Sequence, residues 1–342
     1  MPATTSVPPA SAAYEPPVSR EPKRRPRSSA GSAGAVRPGG GAYPRDLIGY
    51  GTKLPDPKWP GGAKLALQVV MNYEEGGEQS ILHGDKEAEA YLQEVVGLPA
   101  LPGVRNLQVE SMYEYGSRVG FWRLMRTFAS YGIKISVFAV ATALERHPEA
   151  AAAIVEAGHE VVSHGWKWID YQYVAEKVER DHIRRAVESL TRVTGSRPVG
   201  WYTGRLSPNT RRLVVEEGGF LYDADAYNDD LPYWTVVSGK PHLVVPYTLD
   251  VNDMKFGLPG GFATGDEWLA HARDAFDVLY AEGTDHPKMM SVGLHMRLMG
   301  RPGRAAALAR FFDHVERHDH VWVCRRVDVA RHWIEQHPYR PG

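Results

Sequence analysis

The feature that most narrows the fold of this chain is a repeated switch of hydrophobic period. Short β-branched and apolar runs alternate with segments of helical spacing. KLALQVVMNY (64–73), KISVFAV (134–140), HEVVSH (159–164), PVGWY (198–202), FLYDAD (220–225), HLVVPYTLD (242–250), KMMSVGLH (288–295) and VWVCR (321–325) read as strands. Between them lie amphipathic helices near 115–132, 147–158, 174–195, 207–219, 265–282, 302–317 and 326–336. The helix at 207–219 is expected to open with Ser207 as N-cap and Pro208 at its first position. About seven β-then-α units in one chain demand parallel strands with helical crossovers. The expected fold is α/β, with the units closed into a distorted (β/α) barrel or opened into a doubly wound sheet. The turn after the first strand, NYEEGGE, carries acids where a nucleotide-binding sheet wants glycines, which favours the barrel. In such barrels the chemistry sits at the C-terminal ends of the strands.

The alternation begins only after residue 42. Residues 1–42 are rich in Pro, Ala, Ser, Gly and Arg, with Tyr14 their only aromatic, and are expected to form a disordered tail. Residues 43–342 are expected to form a single catalytic domain. The basic run KRRPRSS (23–29) precedes no apolar stretch, so a secretory leader is not expected. A net charge of −1 argues against nucleic acid as a partner, and no apolar run approaches the roughly 20 residues that span a bilayer. The single cysteine, Cys324, excludes an intrachain disulfide and fits a reducing compartment.

Polar and titratable residues recur where each strand ends: Glu74, Glu75 and Glu78; His164; Tyr202 and Arg205; Asp223 and Asp225; Asp250, Asn252 and Asp253; His295 and Arg297. This predicts a ring of convergent groups at one mouth of the barrel. The remaining histidines, among them His83, His159, His182, His314 and His332, read as structural. With no G-x-S-x-G elbow and no HExxH motif, the chemistry that suits carboxylates and histidines is water attack on an amide or ester carbonyl. A carboxylate or His serves as base and a His or Arg stabilises the oxyanion.

The NYEEGG acids, the SHG histidine, the GWYTGR strand end and the late LH pair resemble, in order, the motifs of the polysaccharide deacetylases. That family binds zinc through an Asp of a T-F-D-D-G motif and two His of H-S/T-x-x-H. Here the two Asp positions hold Glu74 and Glu75, the first His matches His164, and the second falls on Trp168, which offers a metal no lone pair. The segments YPRDLIGYG (43–51), ESMYEYGSRVGFWR (110–123), SHGWKWIDYQ (163–172), LPYW (231–234), PYTLDVNDM (246–254) and GLHMRLMGRP (293–302) are very similar to the metal-independent allantoinase branch of that superfamily. The resemblance implies hydrolysis of the hydantoin ring of (S)-allantoin to allantoate in purine (urate) catabolism. It implies neither metal nor other cofactor, and a cytoplasmic homotetramer whose partner is this small-molecule substrate. Under it Glu75 or Glu74 is the base, and His164 and His295 polarise the carbonyl or protonate the leaving nitrogen. Trp168, Tyr202, Arg205, Asp253 and Arg297 bind substrate or orient these groups. Glu75→Gln is therefore expected to cost orders of magnitude in turnover. The alternatives are another cyclic imide or hydantoin hydrolase, a metal-dependent glycan deacetylase, and a binding protein that has lost catalysis.

Overall fold

A computed structural model describes residues 45–341; the expected tail at 1–42 lies outside the described residues. A compact unit begins at Ile48. Its centre is β1 (Leu65–Tyr73), nine residues all buried, as a strand covered on both faces must be. It is followed by β2 (Ser136–Ala139), β3 (Glu160–Ser163), β4 (Gly200–Trp201), β5 (Tyr222–Asp223), β6 (Tyr233–Val237), β7 (Lys240–Val244), β8 (Lys288–His295) and β9 (Val321–Cys324). They form one curled sheet in the order β8-β1-β2-β3-β4-β5-β7-β6. β9 pairs with the first half of β1, on residues Leu65–Gln68, and β2 with the second, on Val70–Tyr73. Every pairing is parallel except β6 with β7. The fold is thus α/β, a curled, mostly parallel half-barrel.

One strand and one helix start differ most from expectation. β6 has no counterpart in the helix-and-strand pattern, because its first three residues and its last are only half-buried and lack a clean apolar period. It is made by a tight hairpin at Ser238-Gly239, both at positive φ (50° and 75°). The helix expected at 207–219 starts at Thr210. Ser207 instead donates its hydroxyl to buried Glu179, tying the segment to the preceding helix, Glu176–Thr194.

Alternation along the strands sorts side chains into two cores. Leu65, Leu67, Val69, Met71 and Tyr73 face the helices. Ala66 and Val70 face the barrel interior, alongside Phe138, Val162, Tyr202, Tyr222, Leu243, Val245 and Tyr247. Register aligns the strand ends. Asn72 pairs with His295 and with Phe138, Ala139 with Ser163, Ser163 with Trp201, and Trp201 with Asp223. Residues one or two beyond these positions therefore share one rim.

The helix expected at 115–132 is longer and broken: Leu107–Tyr115, a π-turn at Gly116–Gly120, then Phe121–Ser130. The turn is forced by proximity. A Cβ on Gly116 would meet the Glu75 carboxylate, and one on Gly120 the Met296 carbonyl. Such π-turns mark places where backbone is bent to fit a site. No helix of the described residues is long and apolar enough to cross a membrane.

Candidate active site

A cavity of about 110 Å³ opens at the rim, lined among others by Asn72, Glu74, His164, Trp168, Tyr202, Arg205, Tyr247, Asn252 and His295. Three larger concavities, about 540, 390 and 190 Å³, touch neither His164 nor His295.

Glu74 is its chemical centre. Its Oε1 lies 3.4 Å from His164 Nε2 and 3.4 Å from His295 Nε2. Its Oε2 accepts from Arg297 Nη2 at 2.7 Å. Burial alone would raise the Glu74 carboxyl, but the charges of His295 and Arg297, with hydrogen bonds from both histidines, hold it well below the usual carboxylate range. Glu74 is the anion of the site.

His295 is the matching cation. Its Nδ1 donates to Asp253 Oδ1 at 2.6 Å, while the backbone N–H groups of His295 and Met299 donate to Asp253 Oδ2 at 2.7 and 3.1 Å. Burial opposes the imidazolium, yet the charges of Glu74 and Asp253 outweigh it and push His295 up to about 9. His164 packs against Tyr202 with ring centroids 4.9 Å apart. Its Nδ1 and the Nε of Arg205 have no hydrogen-bond partner among the described residues, though both atoms are buried.

Glu75, Arg297 and Asp253, expected at the mouth, sit behind it, and Glu78 and Asp250 do not line it either. Glu75 does not line the cavity. Its carboxylate accepts from the Arg297 backbone N–H at 3.2 Å, from Arg297 Nη1 at 3.3 Å and from the Glu74 N–H at 3.1 Å. Burial raises its pKa, and the charge of Glu74 adds to this against the pull of Arg297. Arg297, 1 % exposed, spans the two glutamates, donates Nε to the Leu92 carbonyl at 2.6 Å and lies 4.2 Å from the centre of the Tyr113 ring. Asp253, fully buried, acts through His295. For Glu75 the physical reason is parity. Ala66 and Val70 face the interior, so Asn72 and Glu74 continue inward, whereas Tyr73 and Glu75 belong to the helix-facing side.

Trp168, Tyr202 and Arg205 line the cavity. Arg205 stacks 4.1 Å from the centre of the Trp168 ring, and its Nη2 donates to the Trp168 carbonyl at 3.1 Å and to Glu89 at 3.2 Å. Asp223 and Asp225 stay beneath the rim. Asp223 pairs with Arg211 and His242, and Asp225 accepts the Thr203 and Gly204 N–H groups, fixing the turn that delivers Arg205. Asn72, Tyr91, Tyr227 and Tyr247 are wall residues outside the expected set. Parity would have found Asn72. Nothing in the sequence marks Tyr91, which reaches the site on an irregular segment and stacks over Trp168.

Comparison with known proteins decides the lineage. The Polysaccharide deacetylase family pattern matches residues 106–219. A Schizosaccharomyces pombe (strain 972 / ATCC 24843) protein named "Putative polysaccharide deacetylase" is 43% identical over 316 residues, 86% of this chain and 98% of that protein. The crystal structure of a "probable Polysaccharide deacetylase" from Pseudomonas aeruginosa PAO1 is 58% identical with a TM-score of 0.86, covering 87% of this chain and 100% of that one. The chain belongs to the polysaccharide deacetylase family. A crystal structure of Puue Allantoinase is 59% identical, also with a TM-score of 0.86, covering 87% of this chain and 99% of that one.

For a polysaccharide deacetylase, a zinc ion is the implied cofactor, and the donors here do not fit one. Four residues after His164, where the resemblance puts the second histidine, stands Trp168. Glu74, His164 and His295 do not gather around a common point: among the described residues, the one trio of His, Cys, Asp or Glu with donor atoms all within 4.8 Å of one another is elsewhere. Arg297 already supplies the positive charge that both glutamates need.

Proposed function

We propose that this deacetylase-superfamily hydrolase is an allantoinase, opening the hydantoin ring of (S)-allantoin to allantoate without a metal. The observation that carries the reading is the opposed pair on the cavity floor: an anionic Glu74 3.4 Å from a cationic His295, with Arg297 where a metal's charge would be needed. The 59% identity to Puue Allantoinase over 99% of that chain supports the substrate. Cavity size supports it too, since 110 Å³ is well below the roughly 300–1,000 Å³ of sites for drug-sized ligands and suits a compact ring better than a glycan strand.

In this mechanism water adds to the C4 carbonyl carbon while Glu74 takes its proton. The C4–N3 bond breaks as N3 receives the proton that His295 holds on Nε2. The proton on Glu74 then passes to His295, and the new carboxylic acid releases its own to solvent, restoring both groups. Glu74 is a weak base with so low a pKa, but it is ionised at every physiological pH, and the adjacent imidazolium offsets the negative charge that develops on the carbonyl. Arg205 and His164, which line the cavity, hold the ureido group and ring carbonyls, and Trp168 forms a flat wall. The cytoplasmic homotetramer implied by the resemblance belongs to this same reading.

The test is allantoate formation from (S)-allantoin by purified protein before and after exhaustive chelation, with bound metal counted, beside a panel of cyclic imides and N-acetylated glycans. Full turnover in metal-free protein is expected. Turnover that dies with chelation and returns with zinc, or deacetylation of a glycan with allantoin inert, overturns it.

A further inference from the structure

A second group of metal-type donors lies far from the cavity. Helix Gly265–Glu282 packs against helix Pro302–Val315, bringing Asp277 beside His314 and, just past the helix end, His318. One donor atom from each of the three lies within 4.8 Å of the others. His314 Nε2 is 2.7 Å from Asp277 Oδ1. His318 Nδ1 is 2.9 Å from the His314 carbonyl oxygen. A carbonyl only accepts, so Nδ1 carries a hydrogen, and in the neutral ring the lone pair is then on Nε2. Metal-ligating histidines are fixed in the same way by an outer hydrogen bond. Both rings are braced: Phe276 packs edge-on at 5.5 Å from His314 and 5.0 Å from His318, and Tyr280 at 5.0 Å from His318. A surface His–Asp pair accounts for His314 and Asp277 but gives no reason for a second imidazole at the same point.

We propose that Asp277, His314 and His318 form a binding site for a divalent transition-metal ion such as Zn²⁺ or Ni²⁺. Two imidazole nitrogens and one carboxylate oxygen suit such ions, with water completing the shell. The site clamps two helices at the end of the barrel opposite the rim. Lys64, immediately before β1, has its ammonium 5.0 Å from the Tyr280 ring, which places this cluster at the N-terminal ends of the strands. That end of a barrel serves stability rather than chemistry. A metal found in the purified chain is therefore held here and not in the cavity.

The experiment uses the untagged full chain, stripped with chelator, and reads melting temperature and metal retained after dialysis with Zn²⁺ or Ni²⁺. The wild-type chain is expected to gain about 2 °C or more and to retain about one equivalent. His318→Gln, at a half-buried ring, and Asp277→Asn, at an exposed carboxylate, are expected to lose the gain and the retained ion. No gain with either metal, or a gain that survives both substitutions, overturns the proposal. Neither readout involves turnover, so failure of the allantoinase reading would leave this result intact, and the reverse.

Discussion

Glu74→Gln and Glu75→Gln are adjacent, isosteric changes with opposite expected outcomes. Glu74 is ionised and faces the cavity, touching His164, His295 and Arg297. Its amide cannot take a proton from water. Losing a general base costs about 10²- to 10⁴-fold in turnover, or roughly 3–5 kcal/mol of barrier. Glu75 is driven by burial toward the neutral acid and lies behind the wall. A glutamine reproduces a neutral carboxyl, and its oxygen still accepts from Arg297. Turnover within about ten-fold of wild type is expected, about 1.4 kcal/mol at most. This reverses the weight that sequence alone puts on Glu75. Glu74→Gln also takes the anion from buried Arg297, and breaking a buried pair outright costs about 3–5 kcal/mol. Melting temperatures must therefore be read beside initial rates of allantoate formation at neutral pH. Glu74→Gln retaining wild-type turnover within about ten-fold would refute the reasoning. So would equal kinetic damage from both substitutions with melting unchanged.

The pH profile should follow His295. Its proton is held up to about 9, so kcat/KM stays level through neutrality and falls as pH rises through about 9. Because the folded state favours the charged form, the same proton contributes stability fully present below the ordinary 6.5 and lost as pH rises through about 9. The displacement corresponds to roughly 3 kcal/mol at about 1.4 per pH unit. Denaturation midpoints that stay flat across that window would contradict it. Arg205→Ala removes a charged donor from the wall and should raise KM about ten- to hundred-fold, the worth of a charge-assisted hydrogen bond, with kcat less affected. A loss confined to kcat would instead put Arg205 in the chemical step. Trp168→Ala should cost about 3–5 kcal/mol in unfolding experiments, since Trp168 is 5 % exposed and stacks on Arg205. Trp168→His should still fail to take up zinc in the cavity, because Arg297 keeps both glutamates engaged. Equilibrium dialysis in an Asp277→Asn background measures this, and stoichiometric uptake there would count against the role given to Arg297.

The strands that carry the rim were legible because they are buried on both faces and read as unbroken apolar runs, β1 and β8 above all. β6 was not, since an edge strand half in water has no such run. The identity of the anion was half legible. Two adjacent acids ended β1, and only the inward parity of Asn72 separates Glu74 from Glu75. Asp253 and Arg297 were visible as strand-end charges, but whether such a group touches substrate or supports one that does depends on depth, which spacing along the chain does not encode.

The sequence by itself determined the alternation of strands and helices, the parallel sheet and the level at which polar groups emerge. These follow from local periodicity, where each residue's neighbours are its chain neighbours. The tertiary structure decided the protonation of the site. Glu74 is an anion and His295 a cation because Arg297 and His295, 223 and 221 positions further along the chain, meet it where all three are buried, and only there is charge strong enough to overrule burial.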